Sequence, residues 1–364
     1  MDYREVNIPE VIGNWEKWWD GELGRPLFVA RVNKEPQTKP VLQPKHFTVQ
    51  YGFDVAIEDI IKTESWKLSR MDYLADAFPV CWPNFGPGVE SVFVGGEGEV
   101  AEETVWFEPG KFKDVDIKEM SFKVDYDNAW FKRIEEIYMA GADAWGGQVI
   151  RAMTDLGGIL DVLASFRPGE ALLFDLYDNP DQVKRLSLNL NECWFDCFNH
   201  YTDLIRKVST GSSCWAGILS TGTCYMQQCD FAYMISPEMF EEFVKPDIAY
   251  AAERMDRSFY HLDGVGQIGH IKHLCAIPEL DGIQWIPGAG QKPSDEWPEV
   301  LREIEDGGKK IQLFIDCSDG VTKRVRRALD TVKDPSCLML MVYDCPENEI
   351  AELSAVLRDY GVSV

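Results

Sequence analysis

The chain has no CxxC pair and no GKS or GKT phosphate-binding sequence. No apolar run approaches the ~20 residues that a membrane span needs. The N-terminal stretch MDYREVNIPEVIGNWEKWWDG lacks the basic segment and apolar core of an export signal. Basic residues are also short, with 36 Lys and Arg against 61 Asp and Glu and a formal charge of −25. A surface of that sign repels nucleic acid and anionic membranes, so neither is expected as a partner. Ten cysteines without paired spacing or an export signal read as reduced thiols, and a cytoplasmic location is expected. Cys193 and Cys197, four residues apart in an apolar helix, read as core packing. No internal repeat, low-complexity tract or linker divides the chain.

What is present is alternation. The helix EVIGNWEKWWD groups Trp15, Trp18 and Trp19 on one side, which suits core or interface anchors. Apolar runs starting near 27, 75, 148, 215, 259, 282, 311 and 337 read as eight strands, most followed by a helical segment. Eight β-α units predict an α/β fold of the (β/α)8 TIM-barrel type. A doubly wound open sheet normally needs fewer units. Residues 1–364 are expected to form one domain, with 1–125 an N-terminal elaboration plus the first strands and 126–364 the main barrel. Val92–Val94 and Thr104–Phe107 around GGEGEVAEE suggest a β-hairpin within that elaboration. Asp155 is the expected N-cap of the helix through LGGILDVLASF, and Ser236-Pro237 opens another.

A barrel carries its chemistry at the C-terminal ends of its strands. Those ends hold Arg31, Trp82 with Asn84, Arg151 with Met153, and the stretch from Ser220 through Tyr225 to Gln228. They continue with His261 and Asp263, Trp285 before the PGAGQ loop that ends in Gln291, Asp316-Cys317 and Asp344-Cys345. In a strand His261 and Asp263 project to the same side. Such a pair binds a metal, moves a proton, or simply holds a turn. His261 and Cys345 can meet because their strands ring one mouth, and zinc favours N and S donors with one position left open. His270 and His273, on the following helix, are expected at the surface. Asp344 suits an N-cap for the Pro346 helix. PGAGQ is neither a dinucleotide nor a P-loop fingerprint, although its backbone N–H groups suit an anion.

The segment ISPEMFEEFVKP, the strand ending HLDG, the later Gly-rich loop and the helix start DNPDQVKRL together resemble the uroporphyrinogen decarboxylase superfamily. The likeness runs from about Trp145 to the C-terminus. It implies the TIM-barrel fold. The decarboxylase branch carries an RQAGR-type motif that grips substrate carboxylates, and Arg25 and Arg31 do not reproduce it. The superfamily's zinc methyltransferases carry a His-x-Cys and a late Cys as zinc ligands. Here His261, Asp263 and Cys345 stand at those places, with Asp in the position of the middle Cys.

That resemblance implies methyl transfer between a small substrate or thiol and a corrinoid (cobalamin) carried by a partner protein, through a zinc site. His261, Asp263 and Arg151 would be catalytic. Trp82, Met153, Tyr225, Gln228, Trp285 and Gln291 would line the substrate pocket. A metal-free decarboxylase or lyase of the same fold, and a non-catalytic corrinoid- or small-molecule-binding protein, are the alternatives.

Overall fold

The structure is a computed structural model that describes residues 3–35, 37–318 and 320–364. Its strands in chain order are β1 Leu27–Asn33, β2 Met71–Ala75, β3 Val80–Cys81, β4 Glu97–Val100, β5 Val105–Glu108, β6 Ile150–Met153 and β7 Ser212–Cys214. They continue with β8 Leu219–Ser220, β9 Cys224–Gln228, β10 Arg257–Asp263, β11 Gly282–Ile286, β12 Lys310–Phe314 and β13 Leu338–Val342. One ladder runs β2-β1-β13-β12-β11-β10-β9, parallel except for the edge strand β2. A second runs β3-β6-β7-β8, parallel except for β8. Strands such as LMLMV in β13 are buried along their whole length, as expected where helices cover a parallel sheet.

The protein is thus a mixed α/β fold built on parallel strands. Among the described residues, backbone pairing joins neither β1 to β3 nor β7 to β9, so the ladders do not close into one hydrogen-bonded ring. Side chains cross the second gap. Trp215 Nε1 donates to Met226 O at 3.2 Å, and Cys224 Sγ donates to Ser212 O at 3.3 Å.

Three of the expected elements shift, and one strand was not expected. The run Trp215–Leu219 is not a strand, because Gly217 takes φ +71° and turns the chain between β7 and β8. The parallel neighbour of β10 is instead β9, CYMQQ, whose two glutamines hid it from a reading based on apolar runs. Residues 75–81 hold the end of β2 and all of β3. The hairpin exists as antiparallel β4 and β5, while 92–94 belongs to the end of a short helix. By contrast, Ser236 caps its helix as expected, accepting from Met239 N.

The helix Ile8–Trp19 closes the end of the molecule opposite the strand tips. Asn7 caps it, accepting from Glu10 N at 3.4 Å, with Pro9 in its first turn. Trp15, Trp18 and Trp19 are buried against Phe78 and Phe259, and their indole N–H groups reach Asp76 O, Ser336 O and Leu219 O. Burying three such rings contributes roughly 2–3 kcal/mol each. Cys193 and Cys197 are also buried. No helix among the described residues is long and apolar enough to cross a membrane.

Behind β9, Asp247 is a half-buried residue whose carboxyl is enclosed. Its Oδ1 accepts from Asn191 Nδ2 at 2.8 Å, and its Oδ2 has no partner. Burial pushes its pKa up to about 7, against a smaller opposing effect of Asn191. A carboxyl whose folded pKa is raised adds stability at acid pH, below about 4. That stability is lost as pH rises through about 7. Asp247→Asn should therefore be more stable than wild type at pH 8, by on the order of 2–4 kcal/mol, and close to it at pH 4. Urea unfolding midpoints at the two pH values check this. A constant difference at both pH values would sink it.

Candidate functional site

β10 brings Phe259, His261 and Asp263 to one face and Tyr260 and Leu262 to the other. At its C-terminal tip His261 Nε2 lies 3.7 Å from Asp263 Oδ2. Asp230, just past the end of β9, joins them. One ligand atom each from Asp230, His261 and Asp263 lies within 4.8 Å of the others. Among the described residues this is the group of three or more His, Cys, Asp or Glu side chains so arranged.

Asp230 is held from behind by a residue that the sequence reading missed. Asp161, in the first turn of the helix Ile159–Phe166, accepts the backbone N–H of Asp230 at 3.0 Å and of Phe231 at 2.8 Å. It thus caps the 3-10 turn Asp230–Met234 through space. Burial, then the nearby Asp230 charge, push the Asp161 carboxyl up to about 7. Asp230 is itself exposed to solvent, yet desolvation of its carboxyl by its neighbours raises its pKa as well, with the His261 charge opposing.

Asp155 is not a helix cap, since the helix begins at Ile159 after Gly158. Its buried Oδ1 accepts from Gly157 N, Tyr225 OH and Gln228 Nε2 at 3.0, 3.3 and 3.2 Å. Burial outweighs those bonds and lifts its pKa to about 7. This carboxyl ties the tip of β6 to β9.

On the far side of His261 a chain of amides sets the ring. Gln312 Nε2 donates to Ala216 O at 2.9 Å, so Gln312 Oε1 faces Gln284 Nε2, 2.7 Å away. Gln284 Oε1 is then left to accept from His261 Nδ1–H. The tautomer that this network selects leaves the Nε2 lone pair directed at the two carboxylates. Trp215 packs edge-on against the ring, 5.0 Å between centroids. Burial disfavours the imidazolium, but the bonds to Asp263 and Gln284 and the nearby carboxylates prevail and raise the His261 pKa.

The other expected site residues fall in different places. Cys345 is buried beside Arg31, its backbone N donating to Arg31 O at 2.9 Å, and it stands outside the His261 group. Asp344 takes φ +58° and accepts from Asn33, and the helix that follows starts only at Ile350. Arg151 is buried within β6. Its Nη atoms donate to the carbonyls of Gly141, Gly146 and Val149, and its guanidinium lies over Trp145. That places it at the end of the helix Ala129–Trp145 and not among the site groups. Met153 is core.

Trp285 has the wrong parity. Gln284 shares the inner face with His261, so its neighbour turns outward and packs on Trp297 at 5.5 Å. Tyr225 also points away, with its ring against Trp194 and Phe198, but its hydroxyl and Gln228 both reach Asp155. Gln291 lines an open cleft of about 680 Å³ with Asp230, Asp263 and Gly288. Trp82 lines a separate cleft on the β1 side. His270 is not solvated. It is buried and stacked on Phe240 at 4.2 Å.

The expectation that no Gly-x-Gly-x-x-Gly pattern of a dinucleotide site is present is wrong at GVGQIG, Gly264 to Gly269, directly after β10. The Tyr233 ring lies where that close approach would occur: a Cβ built on Gly264 or Gly266 meets it at 2.8 or 2.7 Å. The following helix, Ile271–Cys275, has only five residues. Phosphate binding there is not supported.

No protein-family model matches the chain, and no curated protein matches it. Among solved structures it is similar to a methyltransferase from Methanosarcina mazei. The TM-score is 0.60 and the identity 12%, covering 96% of this chain and 99% of that one. The two share a fold. At that identity the likeness says nothing further.

Proposed function

We propose that the protein is a methyltransferase whose reacting centre is a divalent metal held by Asp230, His261 and Asp263. The observation that carries this reading is the convergence of those three donors at the tips of β9 and β10, with His261 already turned to them. Four carboxylates, of Asp155, Asp161, Asp230 and Asp263, gather near one imidazole, and a cation is the group that such a set accommodates. One nitrogen and two oxygens suit zinc and also harder divalent ions. Asp230 takes the place that the resemblance gave to Cys345.

A bound zinc would lower the pKa of a thiol or polarise a heteroatom carrying a methyl group. The chain itself does the rest. Gln284 and Gln312 keep His261 in one tautomer, so its donor atom need not reorganise. Asp161 fixes the Asp230 backbone. Trp215 covers one side of His261 and limits water there. The methyl group moves from one heteroatom to an acceptor nucleophile, and the family resemblance points to a corrinoid on a partner protein as one of the two. The structural similarity to the Methanosarcina mazei methyltransferase agrees with this reading through its fold.

The test is spectroscopic. Purified protein, zinc and methylcobalamin are incubated with a panel of small thiols while the cobalamin spectrum is followed. Demethylation that requires zinc and disappears in Asp230→Asn and His261→Ala is expected. Metal-independent demethylation, or wild-type rates in either variant, would overturn the proposal.

A further inference from the structure

A second cleft, about 1270 Å³, opens beside the first, between the tips of β1, β3 and β13 and the segment 45–71. Arg31, Lys45 and Lys67 collect on its wall in a chain whose formal charge is −25. Lys67 has a partner in Glu64 at 2.7 Å. Arg31 has none. Its guanidinium lies 4.5 Å over the Tyr343 ring, and its Nε and Nη2 are buried without a hydrogen-bond acceptor. The indole N–H of Trp82, on the same cleft, is likewise buried and unmatched. Unmatched buried donors also occur on Arg70, Arg133, Arg151 and Trp285, but Arg31 and Trp82 place theirs on one cleft, where a ligand with acceptor atoms would match both.

The two free nitrogens of Arg31 form one edge of the guanidinium, the edge that matches both oxygens of a carboxylate. Trp82, Trp215 and Tyr343 make the neighbouring walls aromatic. Trp215 is also the residue that packs on His261, so one indole separates the cleft from the metal-type cluster. We infer that this cleft binds the carboxylate of a small aromatic or otherwise apolar acid, with Arg31 and Trp82 as the recognising donors. That this acid is the methyltransferase substrate rests on the proposed function. Its binding does not.

Benzoate is the probe, with benzamide as its neutral isostere and inorganic phosphate as the competing anion, each followed by tryptophan fluorescence and calorimetry. Benzoate should bind at least ~10-fold more tightly than benzamide and weaken with salt. Arg31→Met should reduce benzoate affinity ~10-fold or more, and Trp82→Phe, which deletes only the N–H donor, ~3-fold or more. Neither change should alter zinc affinity. Equal binding of benzoate and benzamide overturns the inference, as does tighter binding of phosphate or wild-type affinity in Arg31→Met. If Arg31→Met does not fold, Trp82→Phe and the benzoate–benzamide comparison on the wild type still decide. Loss of zinc binding with retained benzoate binding would sink the methyltransferase reading and leave this one standing.

Discussion

Zinc should bind the wild-type protein at about one ion per chain, and His261→Ala, Asp230→Asn and Asp263→Asn should each reduce that affinity by roughly 100-fold or more. Cys345→Ser should leave it unchanged, because the thiol stands outside the group formed by Asp230, His261 and Asp263. Gln284→Ala touches no metal-ligand atom, yet it frees the His261 ring and should weaken binding by roughly 10–100-fold. Affinity should fall toward acid pH, since His261 must lose its proton to donate and its neighbours raise its pKa. Calorimetric titration of the wild type and the five variants checks the set. Metal loss in Cys345→Ser combined with retention in Asp230→Asn would restore the ligand set read from the sequence and remove Asp230 from the site.

Gly158→Ala should be the most damaging single-methyl change near the site. A Cβ at 158 would meet Gln228 O at 2.0 Å and Asp161 Oδ2 at 2.6 Å. The first contact is with the backbone of β9, which cannot swing aside as a long side chain does. Overpacking of this kind costs about 2–4 kcal/mol. The shift should also carry into function, because Asp161 holds the amides of Asp230 and Phe231. Zinc affinity should drop along with stability. Gly13→Ala is the control: it lies in the helix Ile8–Trp19, with nothing within 4 Å of the added carbon. There the substitution should stabilise by up to about 1 kcal/mol. Urea midpoints and zinc titrations on both variants decide, and a wild-type midpoint for Gly158→Ala defeats the argument.

Much of the frame was legible because it rests on local pattern. Apolar runs marked β1, β10, β11, β12 and β13, and the tryptophan grouping marked the closing helix. The strand that supplies the third site residue was not legible. CYMQQ carries two amides, and WAGIL beside it looks more like a strand until Gly217 turns the chain. Parity failed at Trp285 for a similar reason, since only the pairing of His261 with Gln284 shows which residue of β11 faces inward. Arg151 looked available because charge at a strand tip usually is. Here three backbone carbonyls take its terminal nitrogens.

By itself, the sequence determined that HLDG would place an imidazole and a carboxylate side by side, because strand alternation is a property of the backbone alone. It also determined that the chain would build an α/β fold on parallel strands. The partner of that pair was decided only by tertiary structure. Asp230 lies 31 positions before His261 and Cys345 lies 84 after it, and nothing local ranks them. The decision came from the parallel register of β9 and β10, which sets Gln228 opposite His261 and so delivers Asp230 just beyond it. Asp161, reaching across from a helix, then pins it there. Register and a buried carboxyl are long-range facts, and they made the site.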